Sequence, residues 1–99
     1  MIRIAAYVPN LMDRSRFGSQ VEMLHTLDEL RSVRADLVLV DASRSEVLDH
    51  LPEEAQVIAF APHVDTETLK LAKAAGCTEA LPRSIFFKRL PQLLGNPDG

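Results

Sequence analysis

The segment RADLVLVDAS, residues 34–43, contains the strongest fold signal in the sequence. Residues 36–41 form a nearly continuous apolar run that ends on a carboxylate, Asp41. Strands of this kind are buried on both faces, which is typical of a parallel sheet with helices on each side. A second run of the same type, QVIAFA at residues 56–61, predicts a neighbouring strand. Together the two runs predict an α/β protein.

The rest of the chain alternates between short strand patterns and helix patterns. Further strands are predicted at residues 2–8, 20–25 and 79–82. Residues 10–17 can form two helical turns that end at Gly18. Thr26 and Glu29 have the spacing of a capping box, which predicts a helix over residues 27–34.

Three more helices are predicted in the second half of the chain. Ser43 or Ser45 can cap a third helix that ends before Pro52. Asp65 can cap a fourth helix that stops at Gly76. Its core stripe is predicted to contain Val64, Leu71, Ala72 and Ala75, opposite Lys70 and Lys73.

The fifth helix begins at Ser84, and Phe86, Leu90 and Leu93 share one of its faces. Pro91 removes a helical hydrogen-bond donor and is expected to kink or split this helix. Five βα units joined by right-handed crossovers predict a doubly wound, five-stranded parallel sheet of order 2-1-3-4-5, which is a flavodoxin-like three-layer sandwich.

Composition limits the function classes. A chain of 99 residues with 46% apolar and 25% charged side chains is predicted to form one domain, residues 1–95, with a flexible tail at 96–99. A formal charge of −3 argues against binding to nucleic acid or to an anionic membrane surface. The lone Cys77 and the absence of a signal-peptide pattern favour the cytoplasm. No motif calls for a cofactor.

The stretches RADLVLVD and VIAFAPHVDTETLKLAKAAGCTEALPRSI resemble the second half of a response-regulator receiver domain, including the Ala-Ala-Gly helix end and the short strand after it. The PHVD and LPRS signatures also resemble a group of small, free-standing bacterial receiver-like proteins without an assigned activity. This resemblance implies a receiver fold, in which Asp41 stands at the position of the phospho-accepting aspartate.

The other positions of a receiver site are altered. Receivers carry an acidic pair at the end of the first strand, and the matching residues here are Val8 and Pro9. Their hydroxyl after the fourth strand falls on Ala61, and their lysine after the fifth strand falls on Arg83. Asp13 is near the acidic pair in sequence but lies one helical turn too late to replace it.

We therefore expect Asp41 to remain unphosphorylated, because an isolated carboxylate lacks the electrostatic stabilisation that phosphoryl transfer requires. Asp41 can instead cap the following helix or pair with a nearby arginine. The first hypothesis is a pseudo-receiver, which is a non-catalytic signalling or protein-interaction module and not an enzyme.

The alternative hypothesis is a small-anion or nucleotide site at the carboxyl ends of the strands, where open α/β sheets bind ligands. Its candidate residues are Asn10, Arg14, Arg16, Ser43, Arg44, His63, Arg83 and Ser84. The competing interpretation is that Arg14, Arg16 and Arg44 are solvated loop charges. No metal site is expected, because the histidines lack ligand spacing among themselves and with Cys77.

A homodimer or a protein partner is expected on the face formed by the fourth helix, fifth strand and fifth helix, which receivers commonly use for assembly. Leu69 is predicted at the exposed flank of its helix, and Ile85 is predicted beside the polar Lys88 and Arg89. Two large apolar side chains on one exposed surface favour such contacts, although scattered surface residues need no partner.

Overall fold

The computed structural model describes residues 3–62 and 66–94, with nothing described for the side chain of Ser45. The strands are β1 Ile4–Tyr7, β2 Val21–Met23, β3 Leu37–Asp41, β4 Gln56–Ala61 and β5 Glu79–Pro82. The helices are α1 Leu11–Arg14, α2 Leu27–Ser32, a 3₁₀ helix Ser45–Asp49, α3 Thr66–Ala74 and α4 Arg83–Leu93. The predicted tail at 96–99 and the residues Val64 and Asp65 lie outside the described residues.

The five strands form one parallel sheet in the order β2-β1-β3-β4-β5, which confirms the predicted topology. The central strand shows why its sequence is apolar throughout. Leu39 packs into the core on one face of the sheet, and Val38 and Val40 pack into the core on the other. All three side chains are fully buried. Because side chains alternate along a strand, only a sheet covered on both faces explains this pattern.

One core contains the aromatic side chains. Phe17, Phe60 and Phe86 are buried in it together with apolar residues of β1 and β3. The rings of Phe60 and Phe86 are stacked with centroids 4.3 Å apart, so α4 packs directly on β4. The second core contains Leu30 from α2, Val47 from the 3₁₀ helix and Ala72 from α3. The sheet is thus covered on both faces.

Local sequence signals define several element ends. The Thr26 hydroxyl accepts a hydrogen bond from the backbone N–H of Glu29, and a Glu29 carboxylate oxygen accepts one from the backbone N–H of His25. The predicted cap at Thr26 is therefore confirmed, whereas the reciprocal bond of the capping box is donated by the backbone N–H of His25 and not by that of Thr26. Gly18 and Gly76 have φ of +77° and +110°, which glycine adopts most readily, and they lie where the first and fourth helical segments were predicted to end.

The third helical segment differs from its prediction. It is a 3₁₀ helix of five residues, and Arg44 occupies its cap position without a side-chain cap bond. The cap position therefore belongs to Arg44 and not to the predicted Ser43 or Ser45. The Ser43 hydroxyl donates a hydrogen bond to Asp41 at 2.6 Å instead, so it serves the turn that precedes the helix.

The predicted core stripe of α3 is also partly wrong. Ala72 is fully buried, but Leu71 is 54% exposed and Ala75 is exposed as well. Leu69, predicted at the exposed flank, is half-buried. Leu69 lies three residues before Ala72 and therefore shares its helical face. Leu71 lies about 100° around the helix from Ala72, which places it off this face.

The last helix starts at Arg83, one residue earlier than predicted, and runs without a break through Pro91. The expected splitting at Pro91 is therefore not observed. Pro91 removes the donor that would bond to the Phe87 carbonyl, and the helix continues for only two residues beyond it, to Leu93. None of the helices in residues 3–62 and 66–94 combines the length and apolar character needed to cross a membrane.

Candidate functional site

The carboxyl ends of the strands meet at one edge of the sheet. Asp41 pairs in register with Phe60, and Ala61 pairs with Pro82. Asp41 therefore stands at the tip of β3, and Arg83 directly follows the tip of β5. This edge is where doubly wound sheets bind ligands, and it contains most of the residues selected from the sequence.

The Asp41 carboxylate is engaged in its own turn. Its Oδ1 atom accepts hydrogen bonds from the backbone N–H of Ser43 at 3.0 Å and from the Ser43 hydroxyl at 2.6 Å. This arrangement is an Asx turn, which directs the chain away from β3. Within residues 3–62 and 66–94, Asp41 neither occupies the cap position of the following helix nor pairs with an arginine, which were the two alternatives to phosphorylation. Asp41 therefore acts as a hydrogen-bond acceptor within its own turn.

Three of the positions that bind metal or phosphate in receivers carry apolar residues here. Val8 is buried at the end of β1, and Pro9 follows it. Ala61 is fully buried at the end of β4, where a hydroxyl would be needed. None of these three side chains has an oxygen atom to offer. Within residues 3–62 and 66–94, no three His, Cys, Asp or Glu side chains come close enough to share one metal ion.

Asp13 and Arg83 form an ion pair at this edge. A terminal guanidinium nitrogen of Arg83 donates a hydrogen bond to Oδ1 of Asp13. The Asp13 side chain is only 7% exposed, whereas that of Arg83 is 44% exposed. The bond connects the segment after β1 to the segment after β5, which are not neighbouring strands. A carboxylate thus does occupy the edge, and a guanidinium neutralises it.

The position of Asp13 is set by the short helix α1. Asn10 caps this helix, and its side-chain oxygen accepts hydrogen bonds from the backbone N–H groups of Met12 at 2.9 Å and Asp13 at 3.2 Å. This cap turns Asp13 inward while Met12, its neighbour, is 82% exposed. Asn10 therefore has a structural role that fixes the ion pair.

Arg16 joins the same region through an aromatic ring. The guanidinium carbon of Arg16 lies 4.2 Å from the centre of the Phe87 ring, and that of Arg83 lies 5.0 Å from it. Both distances are within the range of a cation–π contact. The structure thus brings Arg16 and Arg83 together around one ring.

Among the described residues, Arg14, Arg44 and Ser84 form no side-chain hydrogen bond or ion pair with this cluster. A terminal nitrogen of Arg14 lies 3.1 Å from Nδ1 of His25, so Arg14 is directed toward the loop after β2. Arg44 and Ser84 are exposed at the starts of their helices, and His63 lies outside the described residues. Of the candidate cradle residues, the structure brings Arg16 and Arg83 together at the Phe87 ring.

Two members of the cluster were missed as site residues in the sequence. Asp13 was noted only as a poorly placed metal ligand, and its arginine partner is 70 residues away. Phe87 directly follows Phe86 in the sequence. Nothing in the sequence distinguishes a ring that contacts arginines from a ring that packs in the core. Topology could have provided one hint, which is that both Asp13 and Arg83 follow strands whose carboxyl ends lie at the same edge of the sheet.

Comparison with solved structures shows the fold. The chain is similar to the crystal structure of a response regulator from Hahella chejuensis, with a TM-score of 0.64 over 94% of this chain and 92% of the other. The two sequences are 16% identical, so the similarity is one of fold. No protein-family model matches the sequence, and no curated protein matches it. The chain has the receiver-like fold of this response regulator.

Proposed function

We propose that this chain is a pseudo-receiver, a non-catalytic module that acts in the cytoplasm through protein contacts and is not phosphorylated on Asp41. The observation that carries the proposal is the ion pair between Asp13 and Arg83. It occupies the edge at which a receiver assembles a metal and a phosphoryl group. A receiver-like fold with this edge closed retains a scaffold for binding and lacks the parts for phosphoryl transfer.

The electrostatics of the edge support this proposal. Phosphoryl transfer to a carboxylate needs a metal ion that neutralises charge on the phosphate oxygens, and that ion needs several oxygen ligands. The Asp41 carboxylate is hydrogen-bonded to Ser43, and the Asp13 carboxylate is paired with Arg83. A metal ion would have to share both carboxylates with these partners, and the buried Val8 adds no ligand.

The phosphorylation experiment uses the full chain with Mg²⁺ and a small phosphodonor such as acetyl phosphate. We expect the intact mass to stay unchanged over hours, while a phosphorylatable receiver treated in parallel gains one phosphoryl group. Asp41→Asn is the matched variant, because it has nearly the same shape and cannot form an acyl phosphate. A stoichiometric adduct on the wild type that is lost in this variant contradicts the proposal.

The partner surface that we propose is the face of α3, β5 and α4. Ile85 is 46% exposed at the start of α4, and Leu71 is 54% exposed on α3. Leu69 is half-buried on the same helix and would contribute only its exposed part. Large apolar side chains at these levels of exposure favour contact with a second chain, and two-fold pairing is the commonest closed arrangement.

The oligomeric state tests this surface. We expect a dimer by solution mass measurement at high micromolar concentration, and a folded monomer for the Leu69→Glu and Ile85→Glu double variant. A second double variant, Leu71→Glu with Ile85→Glu, shows whether the exposed Leu71 or the half-buried Leu69 contributes to the dimer contact. A wild type that is monomeric at this concentration rules out self-association.

A further inference from the structure

The cluster around Phe87 contains two positive charges and one negative charge. Arg83 pairs with Asp13, and both Arg83 and Arg16 lie within 5.0 Å of the centre of the Phe87 ring. Arg16 is exposed, and it lines, with Phe87, an open groove of about 280 Å³. One charge of the arginine pair is therefore uncompensated within the cluster, and the cluster can be reached from solvent.

The Asp13 carboxylate already occupies the position of an anionic ligand in this cluster. Its side chain is 7% exposed and accepts a hydrogen bond from Arg83. A guanidinium group presents several N–H donors in a planar fork, which suits carboxylates and phosphates alike. If Asp13 left, the Arg83 donors that it uses would be free to bind another anion, and both positive charges would be uncompensated within the cluster.

We propose that Asp13 is the internal ligand of an oxyanion site formed by Arg83 and Arg16. The site takes an external phosphate-like dianion only when the Asp13 carboxylate is out of contact with Arg83. Two guanidinium groups match the charge of a dianion better than that of a monoanion. The internal carboxylate thus acts as an autoinhibitory contact, which goes beyond the interaction role proposed above.

Displacement of Asp13 requires the local opening of α1, a segment that buries little apolar surface. Asp13 lies on α1, a helix of four residues whose first two side chains, Leu11 and Met12, are 75% and 82% exposed. Segments with few buried apolar contacts open locally at low free-energy cost. The apparent affinity of the wild type for an external anion is then reduced by the fraction of molecules in which Asp13 has left.

The test is an NMR titration of ¹⁵N-labelled full chain with inorganic phosphate, at constant ionic strength maintained with chloride and without Mg²⁺ or phosphodonor. We expect Asp13→Asn to bind phosphate at least about tenfold more tightly than the wild type, which corresponds to about 1.4 kcal/mol. The largest shifts are expected at the backbone amides near Arg83 and Arg16. Acetate, a monoanion, should bind the variant more weakly than phosphate.

Matched variants locate the site. In the Asp13→Asn background, Arg83→Met or Arg16→Met should each weaken phosphate binding, whereas Arg14→Met should leave it unchanged because Arg14 contacts His25 instead. Asp13→Ser is a second variant in case Asp13→Asn does not fold. A folded Asp13 variant that binds phosphate no more tightly than the wild type overturns the proposal, as does equal loss with Arg14→Met. The result is independent of whether Asp41 accepts a phosphoryl group.

Discussion

Replacing Arg83 with methionine removes the charge that compensates the nearly buried Asp13 carboxylate. Breaking a fully buried ion pair by removing one partner costs about 3–5 kcal/mol, and breaking an exposed pair costs about 0–1 kcal/mol. Here the carboxylate is 7% exposed and the guanidinium is 44% exposed. We expect an intermediate loss of about 2 kcal/mol in the free energy of unfolding. Methionine retains the apolar stem beside Phe87.

Urea unfolding at neutral pH measures this loss. For a chain of this size the free energy of unfolding falls by about 1–2 kcal/mol per molar urea. A loss of about 2 kcal/mol should therefore lower the unfolding midpoint by about 1–2 M urea. The matched control is Arg89→Met, which breaks an ion pair with Glu79 in which both side chains are 39% exposed. That variant should lose less than about 1 kcal/mol.

A double-mutant cycle sharpens the argument. Asp13→Asn should restore part of the stability of Arg83→Met, because it removes the uncompensated carboxylate. Asp13→Asn alone should be milder than Arg83→Met, since the 44% exposed guanidinium can be hydrated whereas the carboxylate cannot. The reasoning is refuted if Arg83→Met costs no more than Arg89→Met and Asp13→Asn gives no recovery.

Three further predictions concern the fold. Phe86→Ala should destabilise the domain by about 3–5 kcal/mol in urea unfolding, because the side chain is fully buried and stacked on Phe60; a loss below about 1 kcal/mol would contradict the packing. Gly76→Ala should cost about 1–2 kcal/mol in the same assay from backbone conformation alone, because φ is +110° and an added Cβ meets no atom within 4 Å; an unchanged midpoint would contradict that conformation. Burial raises the pKa of the Cys77 thiol above its ordinary value of 9.0, with Lys73 opposing the shift. Since the unfolded chain then loses this proton first, the free energy of unfolding should decline as pH rises above about 9. Cys77→Ala should remove this part of the pH dependence, and an identical decline in that variant would exclude it.

The sheet was predictable because its signals are local and strong. The apolar runs of β3 and β4 have the length and continuity of strands that are buried on both faces, and the order of elements then limits the topology. The cap at Thr26 and the positive φ of Gly76 follow from side-chain chemistry within a few residues. Such features require no knowledge of distant parts of the chain.

The site was less predictable because its contacts are long-range or depend on small rotations. The partner of Asp13 is 70 residues away, and no spacing rule connects it to Arg83. The face of α3 that packs on the sheet contains the fully buried Ala72 and leaves Leu71 exposed. Hydropathy alone would place the larger Leu71 in the core. The Ser43 hydroxyl could accept a hydrogen bond as a helix cap or donate one to a nearby carboxylate. In the structure it donates to Asp41. These are outcomes of tertiary packing.

The most direct test of the central claim is an NMR titration of the wild type with beryllium fluoride in the presence of Mg²⁺. Beryllium fluoride is a non-covalent phosphoryl mimic and binds a receiver aspartate only where metal and cationic partners are assembled around it. The account predicts no saturable shifts at the backbone amides of Asp41 and Ala42, and the same spectra for Asp41→Asn. Saturable, Mg²⁺-dependent shifts at these amides that disappear in Asp41→Asn would contradict it.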